Sequence, residues 1–144
     1  MEIAQYIDQI DQQQKEMDAV YHNAAVRYGL SDSAMWVLYM VSDEGGCTQQ
    51  DLCRQSFFAK QTVNSTIAKL VKNGLVRLEA IPGGRNRKQI WLTEAGRTLT
   101  AGSVDHIRAA EQRAYGQFSR EELAAYLDMT TRLTAYLRAE MEKL

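Results

Sequence analysis

The stretch KQTVNSTIAKLVKNGLVRLEAIPGGRNRKQIWL, Lys60–Leu92, contains a change of period that decides the fold. In its first half Val63, Ile67, Leu70 and Val71 stand at i, i+4, i+7 and i+8. That spacing predicts an amphipathic helix over 60–73 with one apolar stripe. Gln61 and Ser65 are turned away from the stripe, with Asn64, Ala68 and Lys69 beside them, and Gly74 ends the helix. From Val76 the period falls to two, as Val76, Leu78 and Ala80 alternate with Arg77, Glu79 and Ile81 in a short strand. Pro82-Gly83-Gly84 supplies turn chemistry, Arg85-Asn86-Arg87-Lys88 a basic tip, and Gln89–Leu92 a returning strand. A hairpin with a cationic tip over 82–88 therefore follows the helix directly.

Upstream, Thr48 caps a short helix, Thr48–Arg54, with Asp51 completing a capping box and Leu52 and Cys53 facing inward. Before it, Ser31 caps a helix whose inner side carries Ala34, Val37, Leu38 and Val41, closed by Gly45-Gly46. In the first 28 residues Ile3, Ile10, Met17 and Ala24 recur every seven positions. Ile7, Tyr21 and Tyr28 fill the interleaved row, with Gln14 its polar member. Such a narrow seam suits another helix rather than a broad core. Downstream, Thr93 caps a helix from Glu94 to about Gly116, and Ser119 with Glu122 opens a last helix. That last helix carries the stripe Leu123, Leu127, Thr130, Leu133, Leu137, Met141 and Leu144. The fold class is mainly α with a small β-hairpin wing: a winged helix-turn-helix with about six helices. The terminal helices carry more apolar stripe than one small domain needs, which predicts a dimer built on them.

The chain has 144 residues, 45% of them hydrophobic and 24% charged, enough for one packed domain. Its net charge of −1 argues at first against a polyanionic partner, but the distribution reverses that. From Arg54 to Trp91 eight basic residues face one acid, Glu79, so this segment is +7 and the remainder −8. A basic centre between acidic flanks is the footprint of a face that meets phosphate. No apolar run approaches the length of a membrane span, and Met1–Ile10 carries acids and glutamines where a signal peptide needs a basic then an apolar stretch. The expected location is the cytoplasm, with no membrane contact. Two cysteines, Cys47 and Cys53, are too few for a disulfide framework.

In a helix-turn-helix the second helix enters the major groove. Gln61, Asn64 and Ser65 suit base reading, because amides and hydroxyls both donate and accept, and Asn or Gln pairs bidentately with adenine. Arg85, Arg87 and Lys88 on a narrow projection suit a minor groove, where A·T-rich segments concentrate negative potential. Arg54, Lys60 and Lys69 suit phosphates, with Thr48 and Thr62 completing the expected DNA-binding set.

At this point the chain resembles the multiple-antibiotic-resistance regulator (MarR) family of bacterial winged-helix proteins. The resemblance rests on Thr48-Gln49-Gln50-Asp51-Leu52, Gln61-Thr62-Val63-Asn64-Ser65, Lys69-Leu70, Lys72-Asn73-Gly74-Leu75-Val76 and Leu92-Thr93-Glu94-Ala95-Gly96. The Leu-Thr-Glu-x-Gly ending after a basic wing is its most specific piece. The resemblance implies one MarR-like domain over 1–144, with a DNA-binding lobe at 30–97 and dimerisation helices at 1–29 and 98–144. It also implies a homodimer on a pseudo-palindromic operator, and repression as the default effect. A small aromatic effector is expected between the lobe and the dimer helices, with Tyr21, Tyr28, Trp36 and Tyr39 as candidate lining. Many members carry Asp-x-Arg at the wing tip, where Asp braces Arg; here Gly83-Gly84-Arg85-Asn86-Arg87 has no Asp.

Two other readings compete. One is a winged-helix dimer that docks proteins without DNA affinity; the other is a regulator sensing oxidants through Cys47 and Cys53. No enzyme is expected, since a Gly-rich phosphate loop, a nucleophile elbow and a His beside a nucleophile are all missing from the sequence. His22 and His106 are too far apart in sequence to suggest a metal site, and no cofactor is expected.

Overall fold

A computed structural model describes residues 1–42 and 45–144 in full. Among the described residues seven helices and one hairpin follow in order: α1 (Ile3–Arg27), α2 (Asp32–Glu44), α3 (Gln49–Gln55), α4 (Lys60–Lys72), β1 (Val76–Ala80), β2 (Lys88–Leu92), α5 (Glu94–Ala101), α6 (Val104–Tyr115) and α7 (Arg120–Met141). The winged helix-turn-helix expected from the sequence is present. The single helix expected from Glu94 is divided at Gly102. There the Ser103 hydroxyl takes the Leu99 carbonyl at 2.6 Å, a back-bond that bends helices.

The predicted caps form. The Ser31 hydroxyl accepts from the Ala34 amide at 3.1 Å, and Thr48 and Asp51 make a reciprocal box. Thr93 accepts from the Gly96 amide at 3.0 Å, and Ser119 pairs with Glu122. Each satisfies amides that the first helical turn leaves without partners.

The chain divides into two compact units, Met1–Ile107 and Arg108–Leu144, so α1 and α5 go with the lobe. In the first, Val37, Leu38 and Val41 of α2 meet Leu52 of α3, Val63, Ile67 and Leu70 of α4, Val76 and Ile90 of the hairpin, and Val104. Val71 was expected in this stripe but is 39% exposed. Thr66, outside the expected stripe, is buried and donates to the Ser33 hydroxyl at 2.9 Å, tying α4 to α2.

The hairpin is antiparallel, with Val76 opposite Leu92 and Ala80 opposite Lys88. A third, short pairing joins it to the lobe: Thr48 bridges Gln89, and the Ile90 amide donates to the Cys47 carbonyl at 2.8 Å. Two glycines permit close approaches that no other residue could. A Cβ on Gly96 would stand 1.9 Å from the Leu75 carbonyl oxygen, which also accepts from the Thr93 amide. This is the physical reason for glycine in the Leu-Thr-Glu-x-Gly ending. A Cβ on Gly46, at φ +71°, would stand 2.5 Å from the Trp91 ring.

Of the α1 seam, Tyr21, Ala24 and Tyr28 are half-buried, while Ile3, Ile7, Ile10 and Met17 are exposed, Ile3 by 74%. In the second unit no residue of α7 is fully buried, and Leu127, Leu133, Leu137 and Met141 are exposed, Leu127 by 67%.

Candidate nucleic-acid interface

Burial of Val63, Thr66, Ile67 and Leu70 fixes which face of α4 meets solvent. On that open face stand Lys60, Gln61, Thr62, Ser65 and Lys69, all exposed. Asn64 behaves differently. Its Oδ1 accepts from Gln49 Nε2 at 2.8 Å and from the Cys53 thiol at 3.5 Å, and the residue is half-buried. An amide whose oxygen is committed to α3 cannot make the bidentate adenine pair expected of it without giving up that bond. In this structure Asn64 ties α4 to α3. Thr48 also leaves the exposed set: it is 6% exposed and occupied as the cap of α3.

At the wing tip the Ile81 amide donates to the Arg87 carbonyl at 3.1 Å and the Arg87 amide to the Gly84 carbonyl at 2.8 Å. The turn carries Arg85 at φ +28° and Asn86 at φ +63°. Asn tolerates this region, whereas an arginine there is uncommon and strained. Arg85, Arg87 and Lys88 are all exposed.

The wing and the helix-turn-helix enclose a cleft of about 450 Å³. Four cations line it: Arg54 from α3, Lys60 from α4, and Arg87 and Lys88 from the wing. Arg85 and Lys69 are not among its lining residues. Sequence reasoning missed four others there: Gln49, Gln50, Cys53 and Asn86. For Gln49 and Gln50 the only signal was polarity at α3 positions outside the apolar pattern. Cys53 reads as an inward residue and Asn86 as part of the basic tip, and nothing linear places α3 against a hairpin thirty residues away.

Arg54 forms an ion pair with Asp51, whose carboxylate also accepts from the Thr48 amide at 3.2 Å. Hydrogen bonds from the Thr48 hydroxyl and amide hold the Asp51 carboxyl below the usual carboxylate range, and the charges of Arg54 and Arg87 lower it further. Arg77 of β1 pairs with Glu79 at 2.9 Å and lies 5.9 Å over the Trp91 ring, so it braces the hairpin.

Of the expected effector-lining residues, Trp36 and Tyr39 pack against the lobe core, with Trp36 edge-on to Phe58 at 6.2 Å. Tyr21 near the end of α1 and Tyr28 at its C-cap are half-buried. Cys47 is buried and Cys53 half-buried. Among the described residues no group of three or more His, Cys, Asp or Glu could hold a metal ion, and no helix is long and apolar enough to cross a membrane.

The MarR family's sequence model matches residues 28–85. The transcriptional regulator HosA of Escherichia coli O111:H- is 25% identical over 97 residues, 67% of this chain and 72% of that relative. A putative MarR family transcriptional regulator from Listeria monocytogenes, solved with a 26mer DNA, has the same fold. Its TM-score is 0.71 at 18% identity, over 97% of this chain and 91% of that one. Bordetella bronchiseptica BpsR, described as regulated in DNA binding by 6-hydroxynicotinic acid, shares the fold at TM-score 0.64 and 19% identity. That match covers 88% of this chain and 98% of BpsR.

Proposed function

Starting from a winged-helix segment, residues 28–85, that belongs to the MarR family, we propose that the protein is a non-enzymatic transcriptional regulator that binds double-stranded DNA sequence-specifically as a homodimer. The observation that carries this reading is the cleft, where α3, α4 and the wing bring four cations together beside the open polar face of α4. Cations so placed displace counterions from phosphate, which drives association.

In this reading α4 lies in the major groove. Gln61, Thr62 and Ser65 face base edges, Lys60 and Lys69 the backbone, and Asn64 holds α4 in register from behind. Of the two wing arginines the reading assigns the minor groove to Arg85, at the strained tip, and the backbone to Arg87 and Lys88 on the cleft. The open stripes of α1 and α7 support dimerisation through segments 1–29 and 98–144, because a lone chain leaves them in water. A two-fold dimer fits a pseudo-palindromic operator with half-sites about 10–10.5 bp apart. Repression relieved by a small aromatic effector is the regulatory mode we assign. The regulation described for BpsR and the half-buried Tyr21, Tyr28, Trp36 and Tyr39 support it.

Fluorescence anisotropy tests the reading by comparing DNA from upstream of the gene with a scrambled duplex at one near-physiological salt. Tighter binding to the upstream DNA by about 10³-fold or more is expected. Absence of binding to either duplex, even at low salt, would replace this reading with the protein-docking one. Arg85→Ala with Arg87→Ala is expected to weaken binding by about 2–4 kcal/mol and to flatten the salt dependence. An unchanged salt slope would remove the wing from the interface.

A further inference from the structure

We propose that Asp51 is a positioning residue for DNA binding: from α3 it holds the Arg54 guanidinium at the rim of the cationic cleft, already aimed at a phosphate. The proposal rests on the DNA-binding reading above.

The geometry separates an anchor from a reader. The Asp51 side chain is 28% exposed and that of Arg54 74%, so the carboxylate is seated and the guanidinium reaches outward. The carboxylate is fixed from behind by the Thr48 amide at 3.2 Å. Thr48 in turn bridges Gln89 of the wing strand, so the anchor belongs to the block that carries Arg87 and Lys88. An unbraced arginine must give up rotamer freedom when it meets a phosphate, whereas a braced one has already lost it.

Stability does not account for the pair, since exposed ion pairs contribute little to folding. Coulomb's law does not favour it for binding either. A carboxylate beside a phosphate-binding cleft repels DNA, and removing it should by charge alone strengthen binding. Positioning and simple electrostatics therefore predict opposite signs for one substitution.

The test is an anisotropy titration of the full-length protein on the upstream duplex with Asp51→Asn, Arg54→Gln and the double substitution. Asn keeps an oxygen for the Thr48 amide and loses the charge. D51N is expected to bind about tenfold more weakly, R54Q at least as weakly, and the double variant no more weakly than R54Q. D51N binding as tightly as the unsubstituted protein, or more tightly, would overturn the proposal. So would an equal loss from D51N in both backgrounds, which would mean that Asp51 acts through the α3 cap. Should D51N melt before it can be titrated, Arg54→Lys carries the test with every cap intact. A brace needs the forked guanidinium, so R54K is expected to lose most of what R54Q loses, and wild-type binding by R54K overturns the brace. Failure of the DNA-binding reading itself is seen separately, as no binding by the unsubstituted protein.

Discussion

In the winged-helix lobe Val37, Leu38, Leu52, Val63 and Ile90 are sealed from water, whereas the same kinds of side chain in α1 and α7, Ile3, Ile7, Leu127 and Leu137, stand open to it. The two regions differ in how their apolar residues are arranged. In the lobe, short elements cross one another and are tied at their ends by Thr48, Thr93 and the Gln89 bridge, so their stripes close on a shared interior. In α1 and α7 the stripes run along long helices, and within each unit most of that length has nothing across from it. A lobe of the first kind is complete in one chain, while stripes of the second kind leave their apolar side chains in water.

Substituting both kinds of leucine tests the contrast most directly. Leu38→Ala is expected to cost about 2–5 kcal/mol in chemical denaturation, through lost transfer energy and a cavity. A loss below about 1 kcal/mol would mean that the lobe is less tightly packed than its burial indicates. Gly96→Ala adds a methyl against the Leu75 carbonyl and is expected to cost about 1–3 kcal/mol, with α5 displaced from the hairpin. Leu133→Asp on α7 should act differently, shifting the protein to a monomer in sedimentation while the lobe keeps its circular dichroism. A dimer that survives this change, together with Ile10→Asp on α1, would break the assignment of the terminal helices.

The smallest effect concerns acid. The Asp51 carboxyl is lowered by its Thr48 hydrogen bonds, so its contribution is fully present above the ordinary carboxylate value. It is lost as the pH falls through the lowered value in the folded state. Asp51→Asn is therefore expected to make the fall in melting temperature below about pH 4 shallower and to leave the slope at neutral pH unchanged. An identical acid limb in both proteins would mean that the carboxyl is not held in the folded state.

Much of this was legible in the chain itself. The change of period after Asn73, the Ser31, Thr48, Thr93 and Ser119 caps and the +7 centre all lie in local pattern, and the structure carries each. Two details of α4 were not legible. Val71 continued the apolar spacing yet is 39% exposed, whereas Thr66, outside that spacing, is buried and donates to the Ser33 hydroxyl of α2. Asn64 had the chemistry of a base reader but is held by Gln49, a contact between helices that no linear pattern encodes.

By itself, then, the sequence determined the order and kind of the elements as far as Thr93, the ends marked by caps, and the sign of the charge at the centre, but not the break at Gly102 that divides α5 from α6. These depend on interactions within a few residues: side-chain period, cap hydrogen bonds and turn chemistry. Only the tertiary structure decided which cations share a cleft, that Arg54 is paired with Asp51 beside the wing, and that the cleft is lined by Arg87 and not Arg85. Those arrangements arise when α3, α4 and the hairpin pack on one core, which brings residues thirty positions apart into one electrostatic field.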